Sequence, residues 1–141
     1  MSGVRRPEHA VTIEAKVGFQ QCDPLGVVWH GRYFEWFEAA RAELFISRNL
    51  DVPELRAMDH RMFIVDAKCR YMQPLTYGDT VRVTAWFGAV EPLIRVGYDV
   101  RHATTGRWCA RASTVLALTD GDGNLLPRTP DAILDRLPAV S

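Results

Sequence analysis

The amino-acid sequence predicts an α+β fold, a five-stranded antiparallel sheet wrapped around one long central helix. Three observations predict it. Period-two alternation of apolar and polar residues recurs in five separate segments. One segment, residues 32–48, has helical spacing instead and holds neither Pro nor Gly. The links between the later strand segments are short and rich in turn residues, which makes those strands antiparallel.

Residues 1–10 are polar and read as a flexible N-terminus, leaving 11–141 as a single domain. Residues 11–19 place Val11, Ile13, Ala15, Val17 and Phe19 on one side, the pattern of a half-buried strand. QQCDPLG follows, a turn-rich stretch around Pro24 and Gly26. Within 32–48, Tyr33, Phe37, Ala40 and Leu44 follow helical spacing, and Phe34, Trp36 and Phe45 widen the apolar surface. A helix this apolar is expected to be enclosed on most sides. Residues 53–58 add a short helical turn. Strands follow over 62–73, with Phe63, Val65, Ala67, Cys69 and Tyr71 on one face, and over 80–90, 93–102 and 107–119. QPLTYGD turns between the first two of these, and ATTG between the last two. DGDGN is a solvated loop without EF-hand spacing. Pro130 opens a short helix over 130–137.

Composition narrows the function classes. The 141 residues carry 17 Lys plus Arg and 17 Asp plus Glu, a balance that argues against a general nucleic-acid binder. Cys22, Cys69 and Cys109 are far apart and form no CxxC pair, so neither a disulfide framework nor a zinc site is expected. Reduced thiols fit a cytoplasmic protein. MSGVRRPEHA lacks an apolar core, so no signal peptide is expected, and no apolar run approaches the ~20 residues of a membrane span.

The segment FQQCDPLGVVWHGRYFEWFEAARAELF, Phe19 to Phe45, closely resembles the active-site segment of hotdog-fold acyl-CoA thioesterases. Asp23, Pro24, Gly26, Val27, Val28, Trp29, His30 and Tyr33 fall on the family's motif positions. The Asp-Pro-x-Gly-x-Val-Trp run is similar to the 4-hydroxybenzoyl-CoA thioesterase type, and His30 to the Tol–Pal-associated branch. Pro74, Gly78, Asp79 and the tail RTPDAILDRL extend the likeness along the chain. The thioesterases of enediyne pathways share the Gly and helix pattern but lack the acidic residue, which Asp23 retains.

The resemblance implies hydrolysis of a thioester with Asp23 as nucleophile or general base. Thioester hydrolysis needs a carboxylate near the carbonyl carbon and donors for the developing oxyanion. Pro24 restricts the backbone of Asp23, and Gly26 permits a turn. The start of the central helix offers unpaired N–H groups, with the amides of Trp29, His30 and Gly31 as candidates. The His30 side chain is a further candidate, for positioning the thioester or stabilising the leaving thiolate. Val28, Trp29, Tyr33, Phe34 and Phe37 are candidates for lining the acyl pocket, with an aromatic or short acyl group in view. No metal or cofactor is expected, CoA being part of the substrate.

Each residue also has a plainer reading. Taken alone, an Asp before Pro reads first as a turn residue. Glu35 and Glu38 read as solvated or salt-bridged helix carboxylates, although a second hotdog branch uses a helix Glu. Arg41 reads as the partner of a helix carboxylate. Arg82, Arg95, Arg101, Arg107 and Arg111 are candidates for the CoA phosphates. A carrier-protein thioester as substrate, or a non-catalytic acyl-CoA-binding role, are the alternatives. Neither a nucleic-acid nor a membrane partner is expected. Family likeness and the apolar residues left on the strands imply a homodimer with the active site between subunits, and pairing of dimers into a homotetramer.

Overall fold

The computed structural model describes residues 6–140. Five strands form one antiparallel sheet: β1 (Val11–Lys16), β2 (Arg61–Tyr71), β3 (Thr80–Ala89), β4 (Ile94–His102) and β5 (Trp108–Thr119). Their order across the sheet is β1-β3-β4-β5-β2. Alternation along β3 and β4 sends Val81, Val83, Ala85, Phe87, Ile94, Val96, Tyr98 and Val100 inward, and all eight are buried. The long helix α1 (Tyr33–Ile46) packs on β1 and β3. Short helices α2 (Val52–Ala57) and α3 (Asp131–Leu134) flank the sheet, close to the positions expected from the sequence.

The helix is enclosed on one side only. Tyr33, Trp36, Phe37, Ala40, Leu44 and Phe45 are buried, whereas Glu35, Glu38 and Glu43 are exposed on the other face. Three carboxylates on one face keep that face in water.

Three local features differ from the sequence-based expectation. β1 ends at Lys16, and Phe19 is 77% exposed in a 3-10 turn. There the Gly18 N–H donates to Gln21 Oε1 at 2.9 Å and the Gln21 N–H to the Gly18 carbonyl at 3.0 Å, so a local turn replaces the ladder. Second, β2 and β3 form no hairpin, because β2 pairs with β5 and residues 72–79 cross between the two sides of the sheet. The crossing is anchored by Met72 N–H on the Cys109 carbonyl and by Val28 N–H on the Leu75 carbonyl, both at 2.9 Å. Third, the register of β2 shifts between Ile64 and Asp66. Ile64 pairs with Leu116 and Ala67 with Thr114, on one face, which turns Phe63 to the other.

β2 is a sheet edge. Its Phe63, Ile64 and Val65 are 43%, 42% and 46% exposed, beside a row of unpaired backbone groups. The flexible segment expected at 1–10 falls outside the described residues over 1–5. Over 6–10 the chain is tied to the sheet. Arg6 Nε donates to Asp99 Oδ2 at 2.7 Å, and Phe87 N–H donates to His9 Nε2 at 2.9 Å. Among the described residues no helix is long and apolar enough to cross a membrane.

Candidate active site

Asp23 opens a tight turn. Its N–H donates to the Val27 carbonyl at 2.8 Å, and the Gly26 N–H returns to its carbonyl at 2.9 Å. Pro24 sets φ at the first corner, and Gly26 takes φ +84°, where a side chain would be strained. Asp23 Oδ1 accepts the Leu25 N–H at 2.9 Å. Oδ2 has no partner among the described residues, and the side chain is half-buried. The turn therefore consumes one carboxylate oxygen and leaves the other.

Beyond the turn, a 3-10 segment (His30–Arg32) runs into α1. Arg32 N–H bonds to the Trp29 carbonyl at 2.9 Å, and Tyr33 N–H bonds to the His30 carbonyl. The N–H groups of His30 and Gly31 have no acceptor among the described residues, as the first turn of a helix leaves them. Trp29 does not join them, because its N–H donates to the Gln21 carbonyl at 3.0 Å. The Trp29 amide is thus corrected from oxyanion donor to structural bond. Its indole lies over Gly31, where any Cβ would strike the ring, and its centroid sits 4.9 Å from that of His30.

A cavity of about 250 Å³ opens at this helix start, lined by Val28, His30, Tyr33, Tyr71, Met72, Gln73 and Pro74. Of the candidates for the acyl pocket, Val28 and Tyr33 lie on this wall and Trp29 does not. Phe37 does not: it is fully buried against Tyr98, ring centroids 4.9 Å apart, and belongs to the core. Phe34, half-buried, stands edge-on to Phe37 at 5.3 Å, away from the cavity wall. Asp23 is also absent from the wall. Burial, then the nearby Cys109 and Cys69, push the Tyr33 phenol up to about 12. Burial, then the Cys69 thiol, push the Tyr71 phenol up as well. Both stay protonated and can donate.

Tyr71 was not singled out by the sequence. It lies 41 residues from His30, yet its hydroxyl donates to the His30 carbonyl at 2.7 Å. The only signal was its place on the alternating β2, and the bulge decides which face it takes.

The helix acids and arginines separate by their bonds. Glu35 accepts from Arg32 at 2.9 Å and from Gln21 Nε2 at 3.2 Å, and those bonds, Arg32's first, hold its carboxyl below the usual range. It is a salt-bridged helix residue. Among the described residues Arg41 pairs with no helix carboxylate, and it donates to the Tyr98 hydroxyl at 3.2 Å. Arg82 is paired with Glu14, Arg107 donates to the Pro74 carbonyl, and Arg101 lies 3.9 Å over the Trp108 ring. Each of these three has a partner within the chain.

Asp79 fixes the crossing loop. It accepts from Thr76 N–H at 2.9 Å and faces His102 Nε2 at 3.3 Å. The Thr76 bond, chiefly, holds its carboxyl below its ordinary value. A depressed carboxylate contributes stability above its unfolded value near 4, and that contribution is lost as pH falls through the folded value. Asp79→Asn is therefore expected to lower the melting temperature at pH 6 and to leave it less pH-dependent below pH 4, read by thermal denaturation across pH.

Residues 17–137 match the family model of the thioesterase-like superfamily. The chain belongs to that superfamily. An Aquifex aeolicus protein provisionally named an esterase is 35% identical over 68 residues, covering 48% of this chain and 53% of its own length. That match spans about half the length of the relative. The crystal structure of a hypothetical protein from the same organism is 26% identical, with TM-score 0.81 over 91% of this chain and 99% of that one. A 4-hydroxybenzoyl-CoA thioesterase variant, solved with 4-hydroxybenzoyl-CoA, superposes with TM-score 0.82 at 18% identity over 92% of this chain and 99% of that one. The architecture is the hotdog fold of this superfamily.

Proposed function

We propose that this superfamily member hydrolyses acyl-CoA thioesters to a free carboxylic acid and CoA. One observation carries the reading. An unshared carboxylate oxygen on Asp23 stands on a rigid turn, seven residues before a helix start with two unshared amides. The match to a solved complex with an aroyl-CoA supports CoA as the carrier.

The thioester carbonyl oxygen points at the His30 and Gly31 N–H groups, where the helix dipole and two donors favour negative charge. Asp23 either attacks the carbonyl carbon or takes a proton from the water that does. The tetrahedral intermediate then expels the CoA thiolate, which the His30 ring at the cavity wall is placed to meet; where Asp23 is the nucleophile this leaves a mixed anhydride, which water hydrolyses to the free acid and the Asp23 carboxylate. Losing one oxyanion donor costs about 3 kcal/mol of barrier. Water is the only co-reactant, so no cofactor enters. Free Cys22, Cys69 and Cys109 suit a reducing, cytoplasmic setting.

The protein works as a homodimer in this reading. The cavity is small and ends at Tyr71–Pro74, beside the unpaired β2 edge. A second copy pairing there continues the sheet and covers Phe63, Ile64 and Val65. Sedimentation at micromolar concentration should give a mass of two or four chains. Ile64→Lys should shift it toward one chain; a stable wild-type monomer refutes the assembly. The function itself is tested by thiol release over aromatic, short-chain and long-chain acyl-CoAs, with an acyl-carrier-protein substrate alongside. Turnover of none of them sinks the proposal.

A further inference from the structure

The Tyr71 hydroxyl ends on a particular oxygen. The His30 carbonyl and the Gly31 N–H belong to one planar peptide unit, and in the trans form they point in opposite directions. A group that pins the His30 oxygen therefore also aims the Gly31 N–H. Tyr71 pins it at 2.7 Å, from the last residue of a strand outside the helix. The Tyr33 N–H of the helical turn donates to the same oxygen.

Tyr71 is itself fixed. The next residue, Met72, is bonded through its N–H to the Cys109 carbonyl at 2.9 Å. The Tyr33 ring stands edge-on to the Tyr71 ring at 4.9 Å, and the His30 ring edge-on at 6.0 Å. A hydrogen bond accepted by an amide carbonyl also polarises the amide, which makes its N–H the better donor. The Gly31 N–H has no acceptor among the described residues and so is available to a ligand.

We propose that Tyr71 is a positioning residue that aims and strengthens the Gly31 amide as an oxyanion donor, through the His30 peptide. The inference rests on the thioesterase reading above. Tyr71 need not touch the substrate, and no proton leaves its hydroxyl.

The test is Tyr71→Phe, which keeps the ring and removes only the hydroxyl. On the acyl-CoA that wild type turns over best, kcat should fall about 10-fold or more while KM stays within about twofold. Sedimenting mass should match wild type, and the melting temperature should fall by no more than the few degrees that one hydrogen bond is worth. Independently of turnover, the 15N and proton resonances of the Gly31 amide should move more than those of surrounding residues. An unchanged kcat overturns the proposal, as does a Gly31 resonance that stays put. A loss seen only in KM overturns it too, since Tyr71 would then be a substrate contact, and so does a loss that follows dissociation of the assembly. If wild type releases no thiol from any acyl-CoA, the thioesterase reading fails, and the Gly31 resonance still decides what Tyr71 does to the amide.

Discussion

Asp23→Asn is expected to lower kcat for thioester hydrolysis by roughly 10²- to 10⁴-fold, the range of a positioned acid–base group, with the melting temperature unchanged. The substitution separates the two jobs of this side chain. Asn keeps an Oδ1 that can accept the Leu25 N–H, so the turn through Pro24 and Gly26 persists. It removes the charge on the oxygen that the turn does not use. Asp23→Ala removes both. It should match Asp23→Asn in activity and in addition lose about 1 kcal/mol of stability, the usual net worth of one hydrogen bond. Thiol-release kinetics and thermal melts on the two variants check this together. If Asp23→Asn retains full activity, Asp23 is a turn residue alone. Glu38→Gln is then the next variant, because Glu38, unlike Glu35, has no hydrogen-bond partner among the described residues.

The parts of the fold that are legible in the sequence are those governed by a single periodicity. β3, β4 and β5 read from alternation to within one residue at each end, because the inward face of each packs on the core and their register shifts fall near strand ends, between Phe87 and Ala89 and between Val100 and Arg101. β2 shows where that logic stops. One bulged residue near Val65 reverses its faces, and an inserted residue leaves no trace in the run Met62 to Val65, which is apolar on both sides. Its partner is equally hidden. QPLTYGD has the composition of a hairpin turn, but the residues that hold the crossing are Cys109 and Val28, distant in the chain. The candidate site divides in the same way. The Asp23 turn is written locally by Pro24 and Gly26. The fate of each amide at the helix start is not, because it depends on whether a carbonyl elsewhere, such as that of Gln21, has already taken it. Tyr71 lies wholly in that second category.

Phe37→Ala is expected to cost about 3–5 kcal/mol of stability, the usual range for emptying a large aromatic site, and so to lower the melting temperature by about 10 °C or more. Phe37 has no exposed surface, and its ring is wedged between Phe34 and Tyr98 beneath α1. Tyr98 is itself tied to Thr114 at 2.7 Å and to Arg41, so it cannot readily collapse into the space. A hole that does not close loses contacts on every side. Phe34→Ala should cost less, since that ring is half-buried and water can reach the site. The comparison also fixes where the acyl group goes. Phe37→Leu, which keeps most of the volume, should preserve the ranking of acyl-CoAs, because Phe37 does not line the cavity at the helix start. Substitution of Val28, which does line it, should change that ranking. A Phe37→Leu variant that melts like wild type but reorders the substrates would move Phe37 from the core into the acyl pocket and enlarge the site inward along α1.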